Sequence, residues 1–203
     1  MITYLQYYYF LLFSHTIIFI SGFYNTYFYN IIYETDQSIF ILYSMITSLI
    51  VYFVLDLYYM YKNYMNKYDE FIIHHSSFLL SMIFILFSNN YKFMRLLLSI
   101  CAMTELSSII LDIEGLYKLK KNPHILPMFQ TDDKNIFLIY LKILFLILFI
   151  TVRYITNAYY IYICFITPWT LYEQIVLYMC ILAYLLMHIF WLYKIVKYIR
   201  KHI

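Results

Sequence analysis

The chain has 203 residues, 65% of them hydrophobic and 23% aromatic, with only 12% charged, two glycines and a formal net charge of +3. A soluble domain needs far more polar side chains to cover its surface, so the composition excludes one and defines a membrane protein. The small positive balance forms no long basic run, and no nucleic-acid partner is expected.

Apolar residues fall into blocks near the roughly 20-residue length that crosses a hydrocarbon core about 30 Å thick at about 1.5 Å per helical residue. The blocks are unbroken rather than alternating, so helices do the crossing. The first runs from Tyr4 to Tyr24. It lacks a basic start and a small-residue cleavage site, and aromatics follow Ile20-Ser21-Gly22, so it reads as a span rather than a signal peptide. The second covers Ser38 to Tyr61, the third Phe71 to Phe87 and the fourth Leu96 to Leu111. The polar connection from Asp112 to Asn135, with Pro123 and Pro127, reads as a cytosolic loop. The fifth span runs from Ile136 to Val152, and the apolar stretch Tyr154 to Phe165 either extends it or forms a short surface helix before Thr167-Pro168-Trp169. The sixth covers Leu171 to Tyr193. There is no internal repeat and no second domain, so the expected fold is one all-α, six-helix polytopic unit over residues 1–203.

Lys and Arg set the orientation. With both termini in the cytosol, Lys62, Lys67, Lys118, Lys120, Lys121, Lys134, Lys194, Lys197, Arg200 and Lys201 face that side, against Lys92, Arg95 and Arg153 outside. The 27 tyrosines and 18 phenylalanines read mostly as interfacial belts. Cys101, Cys164 and Cys180 show no paired spacing, so neither a disulfide framework nor a zinc site is expected.

A charged group at the middle of a spanning helix costs about 2.5–3.5 kcal/mol on insertion scales, so His15, Asp56, His74, His75, Glu105, Lys142, Arg153 and His188 each call for a reason. Helical spacing groups several of them. Ser44, Ser48, Tyr52 and Asp56 share a face of the second span; Glu70, His74, Ser77 and Ser81 share one on the third; Cys101, Glu105, Ser108 and Asp112 share one on the fourth. Depth places Asp56, His74, His75, Asp112 and His188 in one layer near the cytosolic face, with Glu105 about 10 Å deeper. The pattern implies a cytosol-facing cavity.

Structural roles compete with this reading. Membrane serines commonly bond their own backbone or a neighbouring helix, Asp56 and Lys142 can snorkel, and Arg153 at the outer end can reach head groups. His15 and His188 read as isolated buried histidines with one partner each. Adjacent His74 and His75 point about 100° apart and so cannot answer one packing need, which favours function. Six histidines without His-x-x-x-His spacing argue against metal. A neutral imidazole beside a carboxylate suits acid–base or acyl-transfer chemistry.

Tyr68-Asp69-x-x-x-x-His74-His75, then Met103-Thr104-Glu105-Leu106-Ser107 on the next span, then Phe149-Ile150-Thr151-Val152-Arg153, resembles the TLC domain of ceramide synthases and translocation-associated membrane proteins. The resemblance covers essentially the whole chain. It implies a six-helix bundle in an endoplasmic-reticulum-type membrane and a role with lipids. In the synthases the matched pair, here His74 and His75, serves acyl transfer from acyl-CoA, with two aspartates on the following helix. Here that helix reads Cys101-Ala102-Met103-Thr104-Glu105, with neither aspartate, so the synthase activity does not carry over, and Glu105-Leu106-Ser107 is closer to the non-synthase branch.

The expected function is binding of membrane lipids or regulation of lipid composition. Its candidate site comprises Asp56, Asp69, Ser77, Glu105, Ser108, Asp112, Arg153 and His188, with no metal or bound cofactor. An acyltransferase using His74 and His75, with acyl-CoA as co-substrate, is the alternative. Cargo escort is a third reading, suggested by the family and by the terminal Arg200-Lys201-His202-Ile203.

Overall fold

The computed structural model describes residues 3–27, 36–64, 72–76, 79–80, 91–123 and 135–202. Its elements are α1 (Tyr4–Tyr27), α2 (Asp36–Tyr64), α3 (Tyr91–Met103), α4 (Glu105–Lys121), α5 (Ile136–Leu148), a π-helical segment (Phe149–Tyr154), α6 (Ile155–Ile166) and α7 (Leu171–His202). Residues 72–76 and 79–80 are also helical, and no strand occurs among the described residues. Most of the third expected span, Phe71 to Phe87, lies outside the described residues.

Among the described residues three stretches are long and apolar enough to cross a membrane: Leu96–Lys121, Ile136–Ile166 and Leu171–Lys197. A shorter apolar helix covers Tyr43–Tyr59, and α1 with 24 residues reaches about 36 Å at 1.5 Å per residue. Two expected boundaries are corrected. The fourth helix does not stop at Leu111 but continues to Lys121, so Asp112 belongs to a helix and not to a loop. The fifth passes Val152 without a break and ends at Ile166, which resolves the stretch Tyr154 to Phe165 in favour of extension. Neither position holds a helix-stopping residue; the first proline of each region is Pro123 or Pro168.

The ends carry their own signals. Asn135 caps α5, its side-chain oxygen accepting from the Phe137 amide at 2.9 Å. Thr170 and Glu173 form a capping box at α7. The Glu173 amide donates to Thr170 Oγ1 at 3.3 Å, and the Thr170 amide donates to Glu173 Oε2 at 3.0 Å.

Helix α1 organises one half of the bundle, packing against α2, α3 and α4. Its buried residues Tyr7, Leu11, His15, Ile18, Gly22 and Asn25 step by three or four and so form one face. With Met45, Ile46, Leu49, Tyr52 and Phe53 of α2 and Leu98 and Ala102 of α3, that face makes the larger apolar core. A second core joins Leu96, Leu97 and Ile100 of α3 to Ile163 and Cys164 of α6, Trp169, and Leu177 of α7.

Lipid is as apolar as leucine, so close packing and polar contacts, not water exclusion, hold membrane helices together. The chain's two glycines serve that end. A Cβ on Gly22 would lie 2.7 Å from both Ala102 Cβ and the Ser99 carbonyl oxygen, so α1 meets α3 at backbone distance. A Cβ on Gly115 would overlap the Tyr8 ring, which occupies the space beside α4.

Candidate functional site

A buried polar cluster is supplied by α1, α2, the 72–76 segment, α4, the π-helical segment and α7. On one side, His15 sits in the middle of α1 with Nδ1 2.5 Å from Asp112 Oδ2 and Nε2 2.7 Å from the Tyr52 hydroxyl. The same Nε2 lies 3.6 Å from Glu105 Oε2. Glu105 and Asp112 are seven residues apart, two turns on one face of α4, so one imidazole lies against both carboxylates.

Asp56 forms the second node. The Tyr7 hydroxyl donates to Asp56 Oδ1, and Tyr7 stacks on Tyr59 with ring centroids 3.6 Å apart. His75 Nδ1 lies 2.8 Å from Asp56 Oδ2. The carboxylate approaches this nitrogen outside good hydrogen-bond geometry, so the contact is an electrostatic pair rather than a directed bond. The His75 ring also rests against Phe53 at 5.0 Å and Tyr52 at 5.7 Å, and Tyr52 thereby links this node to His15.

Arg153 makes the third node and is only 3% exposed. A π-helical turn holds an extra residue per turn, and such turns occur often at functional sites; here one carries Arg153 inward. Its Nε donates to Ser107 Oγ at 2.8 Å and its Nη2 to Ser108 Oγ at 3.2 Å. Nη1 lies 3.1 Å from His188 Nε2. His188 Nδ1 faces the Tyr184 carbonyl oxygen at 2.8 Å, which puts the ring hydrogen on Nδ1 and leaves Nε2 to accept from the guanidinium. The guanidinium lies over Phe149 at 5.0 Å and Trp191 at 5.5 Å. Trp191 in turn meets the His74 ring edge-on at 4.9 Å, and the His74 and His75 rings are 5.3 Å apart.

The helix break at Thr104 presents the serines. The Thr104 amide donates to the Cys101 carbonyl and the Ser107 amide to the Thr104 carbonyl, three residues apart each, at 3.0 and 3.3 Å. This tighter turn sets Glu105 on one side and Ser107 and Ser108 toward Arg153.

Of the sequence-derived candidates, His74, His75, Asp56, Glu105, Asp112, Arg153 and His188 are buried, and Ser108 is half-buried at the same cluster. Asp69 and Ser77 lie outside the described residues. Several expectations are corrected. Arg153 points into the bundle rather than toward head groups, and Asp56, 1% exposed, does not snorkel. Asp112 is inside a helix rather than at a rim. Histidines 15 and 188 are not isolated: the first touches three polar side chains, the second an arginine and a backbone carbonyl. The set omitted His15, Tyr52 and Tyr7. Among the described residues no cluster of His, Cys, Asp and Glu could hold a metal ion.

These features define a helical membrane protein with ionisable side chains gathered inside its bundle. The family model of the TLC domain matches residues 1–197, and the chain belongs to that family, membrane proteins tied to lipid biology. No curated protein and no solved structure matches the chain.

Proposed function

We propose that the protein binds a membrane lipid at the buried cluster and through it regulates membrane lipid composition, as a single unit in an endoplasmic-reticulum-type membrane with both termini cytosolic. The single observation that carries this reading is the convergence of Asp56, His75, His15, Glu105, Asp112, Arg153 and His188 from six elements of the chain. Burying that many ionisable groups in a membrane is costly, and in membrane proteins such groups mark substrate or ion pathways. The Lys and Arg asymmetry supports the orientation. Purification in a non-ionic detergent followed by native mass spectrometry tests the reading: the expected result is a retained lipid that is lost from the Arg153→Gln, His75→Ala double variant. Wild-type protein that carries no lipid, and takes up none when offered, would refute it.

One observation favours a second reading, acyl transfer. The 2.8 Å approach of Asp56 to His75 supplies a carboxylate that stabilises a protonated imidazole, although neither aspartate of the synthase pattern is present. His75 would take the proton of a lipid amine or hydroxyl as that nucleophile attacks an acyl-CoA thioester; the C–S bond breaks, and the proton passes to the departing CoA thiolate. Product formation from acyl-CoA and a panel of amine and hydroxyl lipids, abolished in His75→Ala, supports this reading. Turnover indifferent to both His74→Ala and His75→Ala eliminates it.

A further inference from the structure

The three nodes differ in charge. Asp56 lies against His75, and Glu105 and Asp112 both lie against His15, a single imidazole facing two carboxylates. Arg153 is matched by nothing of opposite sign: among the described residues no carboxylate oxygen lies within 4.0 Å of its nitrogens. Its three polar partners, Ser107, Ser108 and His188 Nε2, are neutral.

The donors can be counted. A guanidinium has five N–H groups, one on Nε and two on each Nη. Ser107, Ser108 and His188 take one each, leaving one on Nη1 and one on Nη2. Ser107 donates its own hydroxyl hydrogen to the Thr104 carbonyl at 3.0 Å, so its only donor is committed. Ser108 accepts from Nη2, and its hydroxyl hydrogen has no acceptor among the described residues. The spare donors at this node, two N–H groups of Arg153 and the Ser108 hydroxyl, therefore gather around a buried positive charge. A buried charge without a direct counter-charge is a costly feature for a fold to carry, and a planar guanidinium with a spare N–H on each Nη suits an oxyanion ligand.

We propose that Arg153 and Ser108 form a receptor for the oxyanion head of an acidic lipid, a carboxylate or a phosphate, with the acyl chain in the apolar surroundings of the bundle. This deepens the lipid-binding reading and rests on it. Phe149 and Trp191 flank the guanidinium and keep its surroundings apolar, which strengthens its attraction for an anion.

The test compares acidic lipids with neutral partners of the same chain: oleate against oleyl alcohol, and dioleoyl phosphatidic acid against dioleoylglycerol. Each is titrated into protein in a non-ionic maltoside and followed by native mass spectrometry. At least one acidic lipid is expected to bind about tenfold or more tightly than its neutral partner, as for other charge-assisted pairs. The pair that shows the preference identifies carboxylate or phosphate as the head group. Arg153→Gln is expected to abolish the preference, so that each acidic lipid binds no more tightly than its neutral partner, and Ser108→Ala to weaken it by about threefold, as for one hydrogen bond. Equal binding of acidic and neutral lipids to the wild type would overturn the receptor while leaving a lipid site standing. A preference that survives in Arg153→Gln would do the same. Binding of none of the four lipids would overturn both. The wild-type comparison decides the question even where Arg153→Gln fails to fold.

Discussion

His15→Ala removes three contacts at once: 2.5 Å to Asp112, 2.7 Å to Tyr52 and 3.6 Å to Glu105. Removing one partner of a buried ion pair costs about 3–5 kcal/mol, because the surviving charge stays buried alone. We therefore expect His15→Ala to destabilise the bundle by about 4 kcal/mol, roughly a thousandfold in the folding equilibrium. The distances also predict how that loss divides. Hydrogen bonds between membrane helices measured in double-mutant cycles average about 0.6 kcal/mol and reach about 1.7. Asp112, at hydrogen-bond distance, belongs at the upper end, so the cycle His15→Ala with Asp112→Asn should couple by about 1.7 kcal/mol. Glu105 at 3.6 Å lies beyond hydrogen-bond length, so its cycle with Glu105→Gln should couple by about 0.6 kcal/mol or less. Reversible unfolding in mixed micelles, followed by circular dichroism at one fixed pH, gives both values. A Glu105 coupling equal to that of Asp112, or a His15→Ala loss below about 1 kcal/mol, would refute the assigned geometry.

The two glycines should respond differently in the same unfolding assay. Gly22→Ala presses on the backbone of α3 and should cost about 1–3 kcal/mol, whereas Gly115→Ala meets only the Tyr8 ring, which can turn aside, and should cost less; the reverse order would contradict the packing of α1. Tyr7→Phe deletes one hydrogen bond to the Asp56 carboxylate and should cost about 1–2 kcal/mol without changing helix content. Asn135→Ala should raise hydrogen exchange at Phe137 and cost about 1 kcal/mol; an unchanged exchange rate would remove the cap. For orientation, single cysteines introduced at Lys120 and Lys197 in a cysteine-free background should react with an impermeant maleimide only from the cytosolic side.

Much of this architecture is legible in the linear sequence, because membrane solvation imposes long apolar helices. The order His74-His75, Glu105, Arg153 already identified the family that residues 1–197 match. Helix ends were less legible. Asp112, Glu114 and Lys118 look like a loop by polarity. Yet Lys118 Nζ reaches Glu114 Oε1 at 2.8 Å one turn back, so the charges stabilise a helix there. Arg153 was misplaced for a related reason: a span ended at Val152 puts it at the surface, while the continuous helix to Ile166 puts it inside.

The sequence does carry a signal for His15: Tyr7, His15, Gly22 and Asn25 share one face of the first span, the same periodicity that marks the polar stripes of the second, third and fourth. What no stripe could reveal is the pairing of Asp56 with Tyr7 and His75, because partners on different helices are set by packing, not by spacing along one chain.

The placement of His15 on the first helix also fixes an order of events during synthesis. Its partner Asp112 lies 97 residues later, and at about 5–20 residues per second the ribosome needs roughly 5–20 s to deliver it. Throughout that interval the central imidazole of α1 has neither carboxylate to face. The helix can settle into the bundle only when α4 emerges. The docking of α1 is therefore timed by the arrival of Glu105 and Asp112.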